Sequence, residues 1–188
     1  MINISLEADG PGNSSELAQT VNALLPLYYE DLKRVARNAR RGVNFNHTLQ
    51  TTALIHEAYL KLRGMPGFAD HGHFLRASAI AMRHILVNRA RDKLAAKRGG
   101  GAAHLPIDEN LPDRDFEEDR RIVEVNDALG RLAALNARLA SVVECRFFAG
   151  YSEVETAQAL GVTDRTVRRD WTKARAWLLR TLSAGEPA

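Results

Sequence analysis

The chain has 188 residues, 45% of them hydrophobic, a formal net charge of +3 and one cysteine. Such a length buries one large core or two small ones, no apolar run approaches the ~20 residues of a membrane span, and one thiol excludes an internal disulfide. The small net charge hides two basic modules around an acidic connector: residues 76–98 carry seven Lys or Arg against one Asp, 108–119 seven acids against one Arg, and 164–180 six cations against two acids. Polyanion partners fit both basic modules, because phosphate neutralisation gives nucleic-acid binding much of its strength.

The opening MINISLEADGPGNSS has neither a basic start nor an apolar stretch, so it is not a secretory signal. Residues 1–14 read as a disordered lead-in to a cytoplasmic protein. From Val21 to Arg41 a helical period places Leu24, Leu25, Tyr28, Leu32, Val35 and Ala39 on one side. Pro26 is expected to open a new helix there, since its missing N–H costs nothing in a first turn. Arg34, Arg37, Arg40 and Arg41 crowd the end, where the helix dipole favours cations, and Gly42 stops it.

Thr51 to Arg63 forms a further amphipathic helix, with Leu54, Ile55, Ala58, Tyr59 and Leu62 as its stripe and Glu57 and Lys61 spaced for a surface pair. The loop GMPGFADHGH follows, carrying Phe68, His71 and His73. Two histidines one residue apart could begin a metal site, but no acid or cysteine set completes it, and neither metal nor cofactor is expected. His73 to Lys97 reads as the longest helix, buried along Phe74, Ala77, Ala81, Ile85 and Leu94, with Arg76, Arg83, Asn88, Arg89, Arg91 and Lys93 largely off that side. Such a face can lie along a phosphate backbone.

Gly99, Gly100 and Gly101 end this helix, and the acidic stretch beyond has too few apolar residues to pack. Residues 99–119 are therefore expected to link a first domain, 15–98, to a second, 120–183, with a short tail at 184–188. From Arg120 helices resume, and Leu129, Leu132, Leu135, Leu139, Val142, Val143 and Phe147 supply a small core. Cys145, among these apolar neighbours, reads as a buried thiol.

That core supports YSEVETAQALGVTDRTVRRDWTKARAW, residues 151–177. Val154, Ala157 and Leu160 lie three apart, Gly161 and Val162 interrupt, and Val167, Trp171, Ala174 and Leu178 resume the period. A small residue, a glycine four on and a valine six further is the spacing of a helix-turn-helix. Thr163 or Asp164 can cap the second helix. Arg165, Thr166, Arg168, Arg169, Thr172 and Lys173 fall off the apolar stripe, a decoration that suits a major groove. No strand alternation and no internal repeat occurs, so the fold is read as all-α, two small helical domains joined by a flexible acidic linker.

The order of these parts resembles the extracytoplasmic-function group of bacterial sigma factors from about Val21 to Leu182. One motif of that family reads like D-A-E-D-L-V-Q-E-x-F-L-R-L, and Gln50 to Leu62 here reads QTTALIHEAYLKL; another reads T-V-x-S-R-x-x-R-A-R, and Thr166 to Arg175 reads TVRRDWTKAR. The resemblance implies a non-enzymatic factor that binds core RNA polymerase, directs it to promoter DNA and helps open the duplex. Leu54, Ile55, His56, Glu57, Tyr59 and Lys61 would dock on the clamp of the largest subunit. Phe68, His71 or Phe74 would stack on a flipped base, Arg83, Asn88 and Arg89 would guide the separated strand, and Arg165, Arg168 and Arg169 would read the distal element. The acidic connector would run through the polymerase cleft.

Two departures stand out. Asp170 occupies a position where the family usually has a cation, which puts its phosphate contacts in question. The acids of the docking motif have become Gln50-Thr51-Thr52-Ala53. A phosphate on Thr51 or Thr52 would restore charge at a helix N-terminus, and some groups of this family are associated with Ser/Thr kinases rather than anti-sigma proteins. The competing reading is that these threonines cap the helix and His56, Glu57 and Lys61 dock unaided. Opposite charges on the connector and the DNA-binding helices also allow a closed, self-masked form. The rival functions are a stand-alone helix-turn-helix regulator and, more remotely, a metal-dependent nuclease using His71 and His73. No membrane association is expected.

Overall fold

In the computed structural model the described residues are 20–40, 50–99 and 114–184, and every regular element among them is helical. The expected N-terminal tail, the stop at Gly42, most of the connector and the last four residues lie outside them. The first elements are α1 (Val21–Leu27) and α2 (Tyr29–Ala39). Pro26 does not open the second of these: it sits inside α1, and the chain breaks at Tyr28. Tyr29 then starts α2, whose first turn carries Glu30 and Asp31 at the end where the dipole favours acids.

Helix α3 (Thr51–Leu62) lays Leu54, Ile55, Ala58 and Leu62 into the core. The loop after it reaches α4 (His71–Gly99). Asp70 caps α4 by accepting the His73 N–H at 2.7 Å, which fixes its start.

The rest of the molecule is arranged around α4. Phe74, Ala77, Ala81 and Ile85 are buried as their spacing predicts, but so are Leu75, Ala79, Met82, Leu86 and Val87 on the remaining faces. A helix apolar on more than one side must be covered on more than one side. Helices α2 and α3 cover one; the other is covered by α5 (Arg114–Leu135) and by a π-helical turn, Glu144–Ala149. One buried cluster consequently runs from Val21 to Ala174 across both halves of the chain.

Helix α5 begins at Arg114 rather than at Arg120. Its early turns have partners on α4: the Lys97 ammonium lies 5.7 Å from the Phe116 ring centre, and Asp119, buried, accepts an ion pair from Lys93 at 3.7 Å. Acidic residues that look too polar to pack thus pack through charge. Of the expected second-half core, Leu129, Leu132, Val142 and Val143 are buried, whereas Leu135 is 70% and Phe147 44% exposed. Leu135 is the last residue of α5, just before Asn136, whose side chain caps α6 (Ala137–Val143) by accepting the Leu139 N–H.

The chain ends in α7 (Glu153–Leu160) and α8 (Asp164–Ser183). Ser152 and Glu155 form a reciprocal capping box on α7. A satellite core of Val142, Ala157 and Val167, flanked by Leu160, Val162 and Trp171, holds the two helices on α6. Val154 is 52% exposed and takes no part in it.

Candidate nucleic-acid and polymerase surfaces

The α7–α8 pair has the geometry its spacing predicts. Gly161 adopts φ +62°, which an L side chain rarely tolerates, and this lets α7 stop and the chain reverse within a short turn. Thr163 caps α8, its hydroxyl accepting the Thr166 N–H at 3.2 Å. Val167 is fully buried beside Ala157.

Arg165, Arg168, Arg169, Thr172 and Lys173 consequently face solvent along α8, with Thr166 half-buried. Arg168 reaches Glu153 at 3.4 Å and Arg169 reaches Asp170 at 3.3 Å, while Arg165 and Lys173 make no ion pair among the described residues. The hydroxyls are locally occupied: Thr166 meets Thr163, and Thr172 donates to the Arg168 carbonyl. Asp170 is 2% exposed and accepts from Arg138 at 2.7 Å. Its carboxylate ties α8 to α6 and its other oxygen pairs with Arg169 of the cationic row, so it is a buried partner of that row rather than one of its exposed groups.

On α3 the residues singled out for polymerase docking separate into two sets. Leu54 and Ile55 are core residues that seat the helix. His56 and Lys61 are exposed, with Leu60 47% exposed between them, a residue outside the apolar stripe. Tyr59 is half-buried, stacks against His56 and donates to Asn22 at 3.0 Å. Glu57 does not pair with Lys61; it pairs with Arg89 of α4, so a residue assigned to polymerase and one assigned to DNA neutralise each other. Thr52 is exposed. Thr51 is half-buried and accepts from the Arg40 guanidinium at 3.1 Å. Neither threonine occupies the cap position, which is Gln50 and makes no side-chain capping bond.

Phe68 of the loop before α4 and Phe74 in the first turn of α4 are fully buried and pack edge-to-face at 5.1 Å. In this arrangement they shape the loop and offer no open ring to a base. His71 is the accessible ring of the three: its side chain is 43% exposed, it stacks on Tyr28 at 3.9 Å and it lies 3.5 Å from Asp31. Tyr28 was visible in the sequence only as a core residue. His73 is turned inward, its Nδ1 accepting the Ala69 N–H, and burial lowers its pKa. Among the described residues no cluster of His, Cys, Asp or Glu is placed to hold a metal ion.

Along α4, Asn88 and Arg89 are half-exposed. Arg83 is not on an open face: its side chain is 11% exposed under the second half of the chain, where it donates to Asn126 at 2.7 Å and to Glu144 at 3.2 Å. Cys145 is buried beside it, and burial pushes its thiol up to about 11, the state of an inert rather than a nucleophilic cysteine. Among the described residues no helix is long and apolar enough to cross a membrane.

The family model described as ECF sigma factor matches residues 14–184, most of the chain. No curated protein and no solved structure matches it. With the helix-turn-helix, the long basic helix and the amphipathic helix before it in the order the family requires, the chain belongs to the ECF sigma factor family, a class that directs transcription by binding core RNA polymerase and promoter DNA.

Proposed function

We propose that this protein docks on core RNA polymerase through the exposed face of α3, guides the melted strand along α4 and reads a distal promoter element as duplex through α8. The observation that carries the reading is the row Arg165, Arg168, Arg169, Thr172 and Lys173, solvent-facing on a helix whose start and tilt are fixed by a cap, a left-handed glycine and a buried valine. Guanidinium groups at such positions reach base edges and phosphates together. The partners are core polymerase, at the clamp of the largest subunit, and promoter DNA. The place of action is the cytoplasm, where both reside.

Docking is weak until a threonine at the start of α3 is phosphorylated by a Ser/Thr kinase. Helix α3 has no acid in its first turn, so a phosphate on Thr52 would supply exposed charge where the dipole favours it. On Thr51 the phosphate would meet Arg40, whose Nε is buried without a hydrogen-bond partner and could complete a bidentate pair. The capping alternative loses support, because neither threonine caps.

Pull-down of core polymerase tests both layers. Wild type treated with kinase should retain polymerase, and Thr51→Ala/Thr52→Ala should retain markedly less. Equal retention by the two removes the phosphorylation switch and leaves the sigma assignment intact. Absence of retention by every form, Thr52→Glu included, returns the chain to a stand-alone DNA-binding regulator.

A further inference from the structure

We propose that Arg138, on α6 and outside the helix-turn-helix, is a further DNA-contacting residue: the buried Asp170 carboxylate holds it beside the middle of the α8 row, where its terminal nitrogens meet a backbone phosphate of duplex DNA. The proposal rests on the reading of α8 as the duplex-reading helix and extends that surface onto a second element.

Arg165, Arg169 and Lys173 are spaced four apart, which places them along one side of α8, and Asp170 is the neighbour of Arg169 that turns inward. Its Oδ1 lies 3.3 Å from Arg169 Nε, and its Oδ2 accepts from Arg138 Nε at 2.7 Å. One carboxylate thus brings guanidinium groups from two helices side by side. Both pairs use Nε, the donor nearest the stem, and neither arginine has another ion pair among the described residues. The amino groups at the end of each fork are left to bind elsewhere, and phosphate is the ligand whose geometry such forks match. The Arg138 and Arg169 side chains are 48% and 59% exposed above an acid that is 2% exposed, so DNA would meet the forks and not the carboxylate.

Local structure does not account for a cation at this position. Arg138 lies in the first turn of α6, just after the Asn136 cap, where the helix dipole disfavours positive charge. A buried ion pair is also a weak device for stability alone, because the hydration the carboxylate gives up is only partly recovered. What Asp170 supplies is placement. A long side chain pinned at Nε has already lost rotamers before DNA arrives, so less entropy remains to be lost on binding. The two helices are fixed on each other, with Val142 of α6 and Val167 of α8 fully buried in one cluster. With two guanidinium groups on one carboxylate, the assembly keeps a net positive charge for a polyanion.

The test measures binding of the full chain to a fluorescent mixed-sequence duplex of about 30 base pairs across about 0.05–0.3 M salt. Folded Arg138→Ala should bind about five- to tenfold more weakly at about 0.1 M salt and lose about 0.9 from the log–log slope, equally on a duplex of unrelated sequence, as the loss of a phosphate contact requires. Arg138→Lys keeps the charge without the fork, so its slope should stay at the wild-type value while affinity falls. Arg180→Ala removes a cation from α8 ten residues beyond Asp170, about 15 Å along the helix, and should leave affinity and slope unchanged. A folded Arg138→Ala with the wild-type slope overturns the proposal. So does an equal loss in Arg180→Ala, which would make the effect one of overall charge. Should Arg138→Ala not fold because Asp170 is left buried and unpaired, Arg138→Ala/Asp170→Asn set against Asp170→Asn decides: a slope lower by about 0.9 supports the contact, and equal slopes overturn it. Arg165→Ala/Lys173→Ala separates the two layers. If it flattens the slope and Arg138→Ala does not, α8 reads duplex and the extension to α6 fails alone; if neither variant does, both readings fail.

Discussion

Gly150 and Gly161 both take positive φ, at +75° and +62°, yet a methyl group added at each meets different surroundings. At Gly161 nothing lies within 4 Å, so Gly161→Ala costs only the backbone strain, about 1 kcal/mol. At Gly150 the methyl would sit 2.1 Å from the Asn38 side-chain nitrogen, and Asn38 is 5% exposed with little room to retreat. Gly150→Ala therefore adds an overpacking penalty of about 1–3 kcal/mol to the same strain. Urea unfolding should rank wild type first, Gly161→Ala second and Gly150→Ala last. Equal losses for the two variants would mean that α2 and the turn after the π segment do not meet. Gly161 announces itself in sequence through its place in the helix-turn-helix spacing; Gly150 does not, because Asn38 lies far away along the chain.

At the scale of the element, α8 divides its labour by face. Arg165 and Lys173 have no ion pair among the described residues, while Asp170 is sunk against Arg138. Arg165→Ala/Lys173→Ala should weaken duplex binding and flatten the salt dependence by about 0.9 in log–log slope for each phosphate no longer neutralised. Asp170→Asn should lower stability by about 1–3 kcal/mol without flattening that slope, because it removes no cation and releases Arg169. Equilibrium binding across a salt series, set beside denaturant midpoints, separates the two. Helix α8, its cap and its buried valine were legible because a single helical period encodes them. Other features were not. Leu75, Ala79, Met82, Leu86 and Val87 break a one-sided stripe on α4, and that excess of apolar positions was the available sign that a second layer covers the helix. Which acid of the second half meets Arg83 depends on tertiary packing, which no local pattern carries. The same reason hid the Glu57–Arg89 pair behind the closer Lys61, and turned Phe68 and Phe74 into the core where they were expected to be open to a base.

Across the whole molecule α4 is the shared wall, and its charges couple the protein to pH. His84, half-exposed on α4, has its pKa lowered to about 4, first by burial and then by Arg83, Lys61 and Arg91. Its folded pKa lies below the unfolded value of about 6.5, so the unfolded chain holds the proton that the native chain refuses. Stability from this group is complete above pH 6.5 and declines as pH falls towards 4. His84→Gln should flatten part of the fall in denaturant midpoint between about pH 7 and pH 5. His73, whose pKa burial also lowers, accounts for a residual slope. An unchanged slope in His84→Gln would place the proton uptake elsewhere.

Together these helices make a promoter-directing subunit of RNA polymerase, and the most direct test is run-off transcription by core polymerase on a fragmented genomic library, with and without the kinase-treated protein. New transcripts should start at defined sites only when the protein is present, and should be lost with Arg165→Ala/Arg168→Ala/Arg169→Ala. Transcripts that neither appear with the protein nor depend on those arginines would contradict that role.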